Sequence, residues 1–277
     1  MIIQAWLDSA SRLKTISISD ARVLLAAAMQ VNKTWLTSHD QDPIPEHLFP
    51  KLDQSLTALT NGEPLPYLTG EQEFFGLRFS VDRQVLIPRP ETELLVQLAL
   101  DWLQSQSGEI HALDIGTGSG CIPVSILCNH DHVHFTATDI SSDALQIAAK
   151  NAAAHQVQDR ISFVQTDLCS DINLDDIQLI CANLPYIPSE DLNELAVARF
   201  EPRSALDGGA DGLELIRRLI KSIRDNLPVP FCVLLEIEYR QGRTIEQLAR
   251  EAFPDSLIRL HLDMAGLPRT VQITREK

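Results

Sequence analysis

Long apolar runs are missing from this 277-residue chain: near its start the longest, Val23 to Met29, falls far short of a membrane span. A basic-then-apolar leader is missing too, with Asp8 already in the first turn of sequence, so secretion is not expected. Cysteine is sparse and unpatterned. Cys121, Cys128, Cys169, Cys181 and Cys232 are odd in number and form no Cys-x-x-Cys pair. They read as reduced thiols of a cytoplasmic protein, which excludes a disulfide or zinc framework. Basic charge is also short: 23 Lys and Arg face 38 Asp and Glu, a net charge of −15 that argues against strong nonspecific binding of nucleic acid. The eight histidines are scattered, and no metal site is expected. Repeats and low-complexity segments are absent. What remains is an ordinary globular composition, 44% hydrophobic and 22% charged, with enough chain for one large domain or two smaller ones.

The first sixty residues lack strand-like alternation. Trp6, Leu7, Ala10 and Leu13 recur at helical spacing, and Ser19-Asp20 opens a second helix through Val23, Leu24, Leu25 and Ala28. A third helix is expected from Glu46 to Thr60, closed by Asn61-Gly62. The pattern then changes. Glu73 to Val81 and Gln84 to Ile87 predict two strands turning at Asp82-Arg83, followed by Pro88, Pro90 and an amphipathic helix over Glu91 to Ser105. Beyond it, strands near His111–Ile115, Phe135–Asp139, Ile161–Thr166, Gln178–Ala182 and Phe231–Ile237 alternate with helices, which predicts right-handed βαβ crossovers. Ser256–Leu262 and Thr270–Thr274 have no helix between them and predict an antiparallel hairpin at the sheet edge. The expected division is a helical domain over 1–72, a β-hairpin linker over 73–90, and a doubly wound, mostly parallel α/β domain over 91–277.

Two segments carry chemistry. Asp114-Ile-Gly-Thr-Gly-Ser-Gly120 reads as a strand ending in an acid, then a glycine turn opening a helix. Such a turn lets a ligand approach the backbone and offers free helix N–H groups. The spacing is one residue shorter than the dinucleotide fingerprint, and no Lys-Ser/Thr of a phosphate loop follows. The next strand ends in Asp139, where an acid in such folds accepts ribose hydroxyls. The second segment, Asn183-Leu-Pro-Tyr186, follows the fourth strand at the edge where open α/β sheets bind ligands. A side-chain amide, a stiff turn and an aromatic ring suit a planar amide or amine that receives a methyl group from S-adenosylmethionine. An amide nitrogen is a poor nucleophile, and two acceptors, the Asn183 side-chain oxygen and the Leu184 carbonyl, would orient it. Either segment alone is equally a tight turn; their pairing gives the reading its weight.

The chain resembles the HemK/PrmC family, protein-(glutamine-N5) methyltransferases that modify the Gln of the Gly-Gly-Gln loop of peptide chain release factors. The resemblance covers nearly the whole chain. It rests on Gly62-Glu-Pro-Leu-Pro-Tyr-Leu-Thr-Gly70, Leu86-Ile-Pro-Arg-Pro-Glu-Thr-Glu93, Leu113 to Gly120, Asn183 to Ile187, Phe200-Glu-Pro-Arg-Ser-Ala-Leu-Asp-Gly-Gly209, and Leu235-Glu236 with Gln241-Gly242. It implies a methyltransferase fold using S-adenosylmethionine, with Gly116, Thr117, Gly118, Ser119, Gly120, Asp139, Leu168 and Asn183 on the cofactor. It further implies that Asn183, Leu184, Pro185 and Tyr186 hold the substrate glutamine, with Asn183, Pro185 and Tyr186 as the catalytic set. Two positions depart from the family: Leu184 replaces the first proline of Asn-Pro-Pro-Tyr, and Leu168 stands where an aromatic residue is usual. The rival readings are a DNA adenine-N6 methyltransferase, for which no basic recognition surface is evident, and a non-catalytic binding module of the same fold. Release factors are the expected partners, with no direct DNA binding and no membrane association.

Overall fold

The computed structural model describes residues 1–13 and 15–276, which pack as two compact units, Met1–Glu71 and Gln72–Lys277. The first unit is helical: α1 (Ile3–Ser11), α2 (Ile18–Met29), α3 (Lys33–Ser38), α4 (Phe49–Thr60) and α5 (Leu65–Thr69). The apolar positions at helical spacing meet in one core of Trp6, Leu7, Leu24, Leu25, Leu36 and Leu52. Start signals lie slightly upstream of where the periodicity suggests. Ser17, not Ser19, caps α2 by accepting the Asp20 N–H at 3.0 Å, and Asn32 caps α3 by accepting the Trp35 N–H at 2.7 Å. The stretch expected as one helix from Glu46 begins with a single 3-10 turn, Glu46–Leu48, before α4 continues it with Pro50 in its first turn.

A hairpin of β1 (Glu71–Phe74) and β2 (Leu77–Ser80) leads into the second unit. It turns at Phe75-Gly76, both at positive φ (50° and 73°), the backbone that tight hairpins require. The expected turn at Asp82-Arg83 and the expected strand Gln84–Ile87 are therefore corrected: residues 84–87 form no strand. Phe75 carries a side chain in the left-handed region, a signal that composition does not give, and its N–H is held by Glu93 Oε1 at 2.8 Å.

After α6 (Glu93–Gln104), β3 (Ile110–Ile115), α7 (Cys121–Asn129), β4 (Val133–Asp139), α8 (Ser142–Ala154), β5 (Ile161–Gln165) and β6 (Ile177–Ala182) follow in turn. The chain ends through α9 (Glu214–Ile223), β7 (Phe231–Glu236), α10 (Gly242–Ala252), β8 (Leu257–Leu262) and β9 (Pro268–Arg275). Helix α10 is an element the periodicity reading passed over. The seven-stranded sheet runs β5-β4-β3-β6-β7-β9-β8, parallel from β5 through β7. The closing hairpin is antiparallel as expected, but β9 inserts beside β7 and leaves β8 on the edge. One apolar cluster joins α6, α7 and α8 to the sheet and a second joins α9 and α10, so β3, β6 and β7 are buried on both faces. Strand order reverses between β3 and β6. That point, at the carboxyl ends of the strands, is where crossovers diverge and leave a crevice.

Candidate active site

The crevice is a cavity of about 270 Å³. One wall of it is the glycine turn. Gly116, Gly118 and Gly120 all take positive φ (72°, 55° and 77°), which side-chain-bearing residues rarely adopt. The Gly116 and Thr117 N–H groups bond the Thr138 carbonyl at 2.9 Å, tying the turn to β4. At Gly120 an added Cβ would stand 3.0 Å from Ala148 Cβ, so this glycine lets α7 and α8 approach. Gly116, Thr117, Gly118 and Ser119 line the cavity, whereas Gly120 stands behind it.

Asp139 closes the next strand. Its Oδ2 accepts the Gly118 N–H at 2.9 Å and its Oδ1 the Ser141 N–H at 2.9 Å. Burial raises its pKa, and the Ser141, Gly118 and Ile140 N–H groups oppose the rise. A carboxylate has about four lone-pair sites, so beyond these three donors Asp139 can still accept from a ligand hydroxyl. Asp114, fully buried beneath the turn, is pushed up to about 7, chiefly by burial, with the Thr117 hydroxyl pulling the other way and Asp139 adding to the rise. Yet neither its two oxygens nor that hydroxyl completes a regular hydrogen bond among the described residues. Leu168 lines the cavity at φ 55° with its carbonyl held by Thr138 Oγ1 at 2.9 Å. Beside it, Asp167 pairs with Arg218 at 2.6 Å, and both line the cavity.

The Asn183 loop forms the opposite wall. Asn183, Leu184 and Pro185 line the cavity; Tyr186 does not. Asn183 Nδ2 donates to Thr92 Oγ1 at 3.1 Å. Leu184 is buried, and its Cδ2 lies 3.2 Å from where a Gly116 Cβ would stand, so the two motifs touch across the β3–β6 switch point. Burial is the main cause that raises the Tyr186 phenol to about 12, with Glu236 adding to it. Glu236 itself, 1% exposed at the end of β7, is raised to about 7 by burial, against the pull of Thr92, Arg269 and Asn183. Among the described residues no group of three or more His, Cys, Asp or Glu side chains could hold a metal ion. No described helix is long and apolar enough to cross a membrane.

Comparison with known proteins identifies the family. Residues 91–206 match the family described as the methyltransferase small domain, and residues 4–70 match the PrmC N-terminal domain. A release factor glutamine methyltransferase of Cereibacter sphaeroides is 37% identical over 250 residues, 90% of this chain and 85% of its own length. Another, of Bacillus cereus, is 32% identical over 90% of this chain and 89% of its own length. The chain belongs to the HemK/PrmC family of release factor glutamine methyltransferases. Among solved structures, the hMettl16 catalytic domain in complex with MAT2A 3′UTR hairpin 6 shares the fold at a TM-score of 0.58. It is 17% identical, over 72% of this chain and 76% of that one.

Within this HemK/PrmC chain, Asn151, which the sequence reading passed over, and several motif residues whose contacts the sequence does not give hold the site together. Asn151 of α8 donates to the Ser119 carbonyl at 2.8 Å and exchanges two bonds with the Ser80 backbone, clamping hairpin to glycine turn. Gln241 Nε2 donates to the Tyr186 carbonyl at 3.0 Å and to the Gly212 carbonyl at 3.2 Å. A Cβ at Gly212 would fall 2.2 Å from the Tyr186 oxygen, and one at Gly208 2.8 Å from the Pro185 oxygen. The buried Glu201 receives the Ile87 N–H at 3.3 Å and pairs with Arg89, which joins the Glu-Pro-Arg segment to the proline linker and sets Arg89 on the cavity rim. The order of Gly and Gln residues in the sequence marks these segments, but not their partners, which lie 23 (208 − 185) to 114 residues away.

Proposed function

We propose that this chain methylates the side-chain amide N5 of the glutamine in the Gly-Gly-Gln loop of peptide chain release factors, using S-adenosylmethionine. The single observation that carries this reading is the shared cavity: the glycine turn and the Asn183 loop face one space, in contact through Gly116 and Leu184. The residues fit the cofactor. Three left-handed glycines open the backbone, Asp139 keeps acceptor capacity for the ribose, and the Leu168 side chain offers an aliphatic face to the adenine. When bound, S-adenosylmethionine supplies an electrophilic methyl group on a sulfonium.

The chain supplies position and acceptors. With Asn183 Nδ2 engaged by Thr92, its Oδ1 is the free end, and the Leu184 carbonyl is the second acceptor. Two acceptors on one NH2 group fix its plane and favour the positive charge that builds on nitrogen. Pro185 stiffens the turn, and Tyr186 packs the loop from behind or stacks on the planar acceptor once the substrate enters. Holding the acceptor in line with the methyl group contributes the remainder. Residues 1–72 are, in this reading, the docking unit for the release factor, and residues 91–277 carry the chemistry. The five unpaired thiols agree with the cytoplasm as the compartment.

The test is methyl transfer to purified release factor and to duplex DNA in parallel, with peptide mass mapping of the product. Label on the Gly-Gly-Gln peptide alone is expected. Label on DNA adenine would replace the reading by the nucleic-acid one. A fragment starting near Glu73 should still bind cofactor but lose much of its activity on intact release factor; equal activity would remove the docking role.

A further inference from the structure

Glu236 is buried beneath the acceptor loop with its Oε2 lacking a hydrogen-bond partner among the described residues. Its place follows from the sheet. Parallel pairing sets Ala182 beside Leu235, so the next residues, Asn183 and Glu236, leave β6 and β7 side by side. Thr92, 2% exposed and just ahead of α6, receives the Asn183 Nδ2–H at 3.1 Å. The Thr92 hydroxyl and the Asn183 amide both act on the Glu236 carboxyl as hydrogen-bonding groups.

These three groups can order their protons in only one way when the carboxylate is ionised. A carboxylate accepts and cannot donate, so it takes the single Thr92 proton. The Thr92 oxygen is then left to accept, and only the NH2 end of Asn183 can serve it. That turns Asn183 Oδ1 toward the cavity. A protonated Glu236 could instead donate to Thr92, freeing the Thr92 proton for Asn183 Oδ1; the amide would rotate and present NH2 to an acceptor that is itself NH2. We infer that Glu236 is a positioning residue for methyl transfer, fixing through the Thr92 hydroxyl which end of the Asn183 amide meets the substrate. The inference rests on the methyltransferase reading above.

The groups around Glu236 set the pH at which this order holds. Burial is the largest influence and raises the carboxyl to about 7; Arg269 from β9 lowers it, and Glu91 from the turn before α6 raises it. Tyr186 on the loop and Cys121 at the start of α7, both raised chiefly by burial, are raised further by Glu236. Arg269 is itself paired with Asp263 at 3.1 Å, which weakens its pull. The wild-type kcat should therefore climb with pH through a limb near neutrality, as Glu236 ionises.

The experiment measures kcat, KM for release factor and cofactor Kd across pH for wild type, Glu236→Gln, Thr92→Val and Thr92→Ser. A glutamine can donate as well as accept, so Glu236→Gln should lower kcat about 10-fold and lose the neutral limb. Thr92→Val should lower kcat by about 10- to 100-fold, the scale of a displaced reacting group, with cofactor Kd little changed. Thr92→Ser keeps the hydroxyl and should recover most of that loss. A Thr92→Val kcat within about 2-fold of wild type, or a neutral limb that survives Glu236→Gln, would overturn the inference while leaving the methyltransferase reading intact. If Glu236→Gln does not fold, Thr92→Val decides alone. Absence of methyl transfer by the wild type would overturn the reading and this inference with it.

Discussion

The two walls of the cavity are built by different means. The glycine turn after β3 is local: seven consecutive residues, Asp114 to Gly120, supply its backbone geometry, and the groups that fix it, Thr138 and Asp139, end the very next strand. The Asn183 loop after β6 is assembled from afar. Thr92 comes from the turn before α6, Gly208 and Gly212 from the segment ahead of α9, Glu236 from β7, and Gln241 from the 3-10 turn just before α10. A ligand common to many enzymes needs only a backbone shape, which glycines specify. An acceptor with one reacting nitrogen needs a particular atom at a particular place, which takes side chains from several elements.

The difference can be broken at either wall. The largest effect should come from Asn183→Ala, which removes a preorganised acceptor and should cut single-turnover methyl transfer by about 10²–10³-fold at saturating cofactor. Near-normal transfer would show that the amide is held elsewhere. Next comes Gly212→Ala. Its Cβ would fall 2.2 Å from the Tyr186 carbonyl oxygen, at a φ of 73°, so the loop must shift, and kcat should drop by about 100-fold while cofactor affinity holds. Equal losses in both would mean that the two walls are not independent.

Asp139→Ala tests the other wall. It removes the partner of the Gly118 and Ser141 N–H groups together with the proposed ribose acceptor, and calorimetric titration should find cofactor binding weaker by about 1–3 kcal/mol. Unchanged affinity in the folded variant would end that assignment. The smallest effect concerns pH. Asp114 rises from 3.8 in the unfolded chain to about 7 when folded, mainly through burial. A raised acid favours folding while it is protonated, so its contribution is full below about 4 and is lost as pH climbs through about 7. Thermal unfolding of cofactor-free Asp114→Asn should therefore show a flatter decline of Tm between those values than wild type. Parallel curves would mean that Asp114 is paired in a way the geometry does not reveal.

Leu184 sharpens the contrast from a third side. In sequence it is only a departure from Asn-Pro-Pro-Tyr, with a carbonyl to lend. In the structure its side chain packs against Gly116 and belongs to the core on the α9 and α10 side. Proline there would keep the carbonyl and gain a fixed φ but give up part of that packing, so a modest change in rate is expected from Leu184→Pro.

The sequence by itself determined the helical start, the βαβ rhythm and the glycine turn. Each of these is a short-range matter: periodicity along a few turns, or backbone freedom at named glycines, legible without knowing what packs on what. It also marked Asn183 by its place after a strand, and the motif resemblance pointed to the family. Tertiary structure alone decided that the hairpin turns at Phe75-Gly76, that β9 slots between β7 and β8, and that Tyr186 stands behind the wall while Asn183 faces the cavity. It alone set Glu236, Thr92 and Gln241 around one loop. The reason is that a buried polar group must find its partner wherever the fold brings one, and parallel strands joined by crossovers bring together residues far apart in sequence.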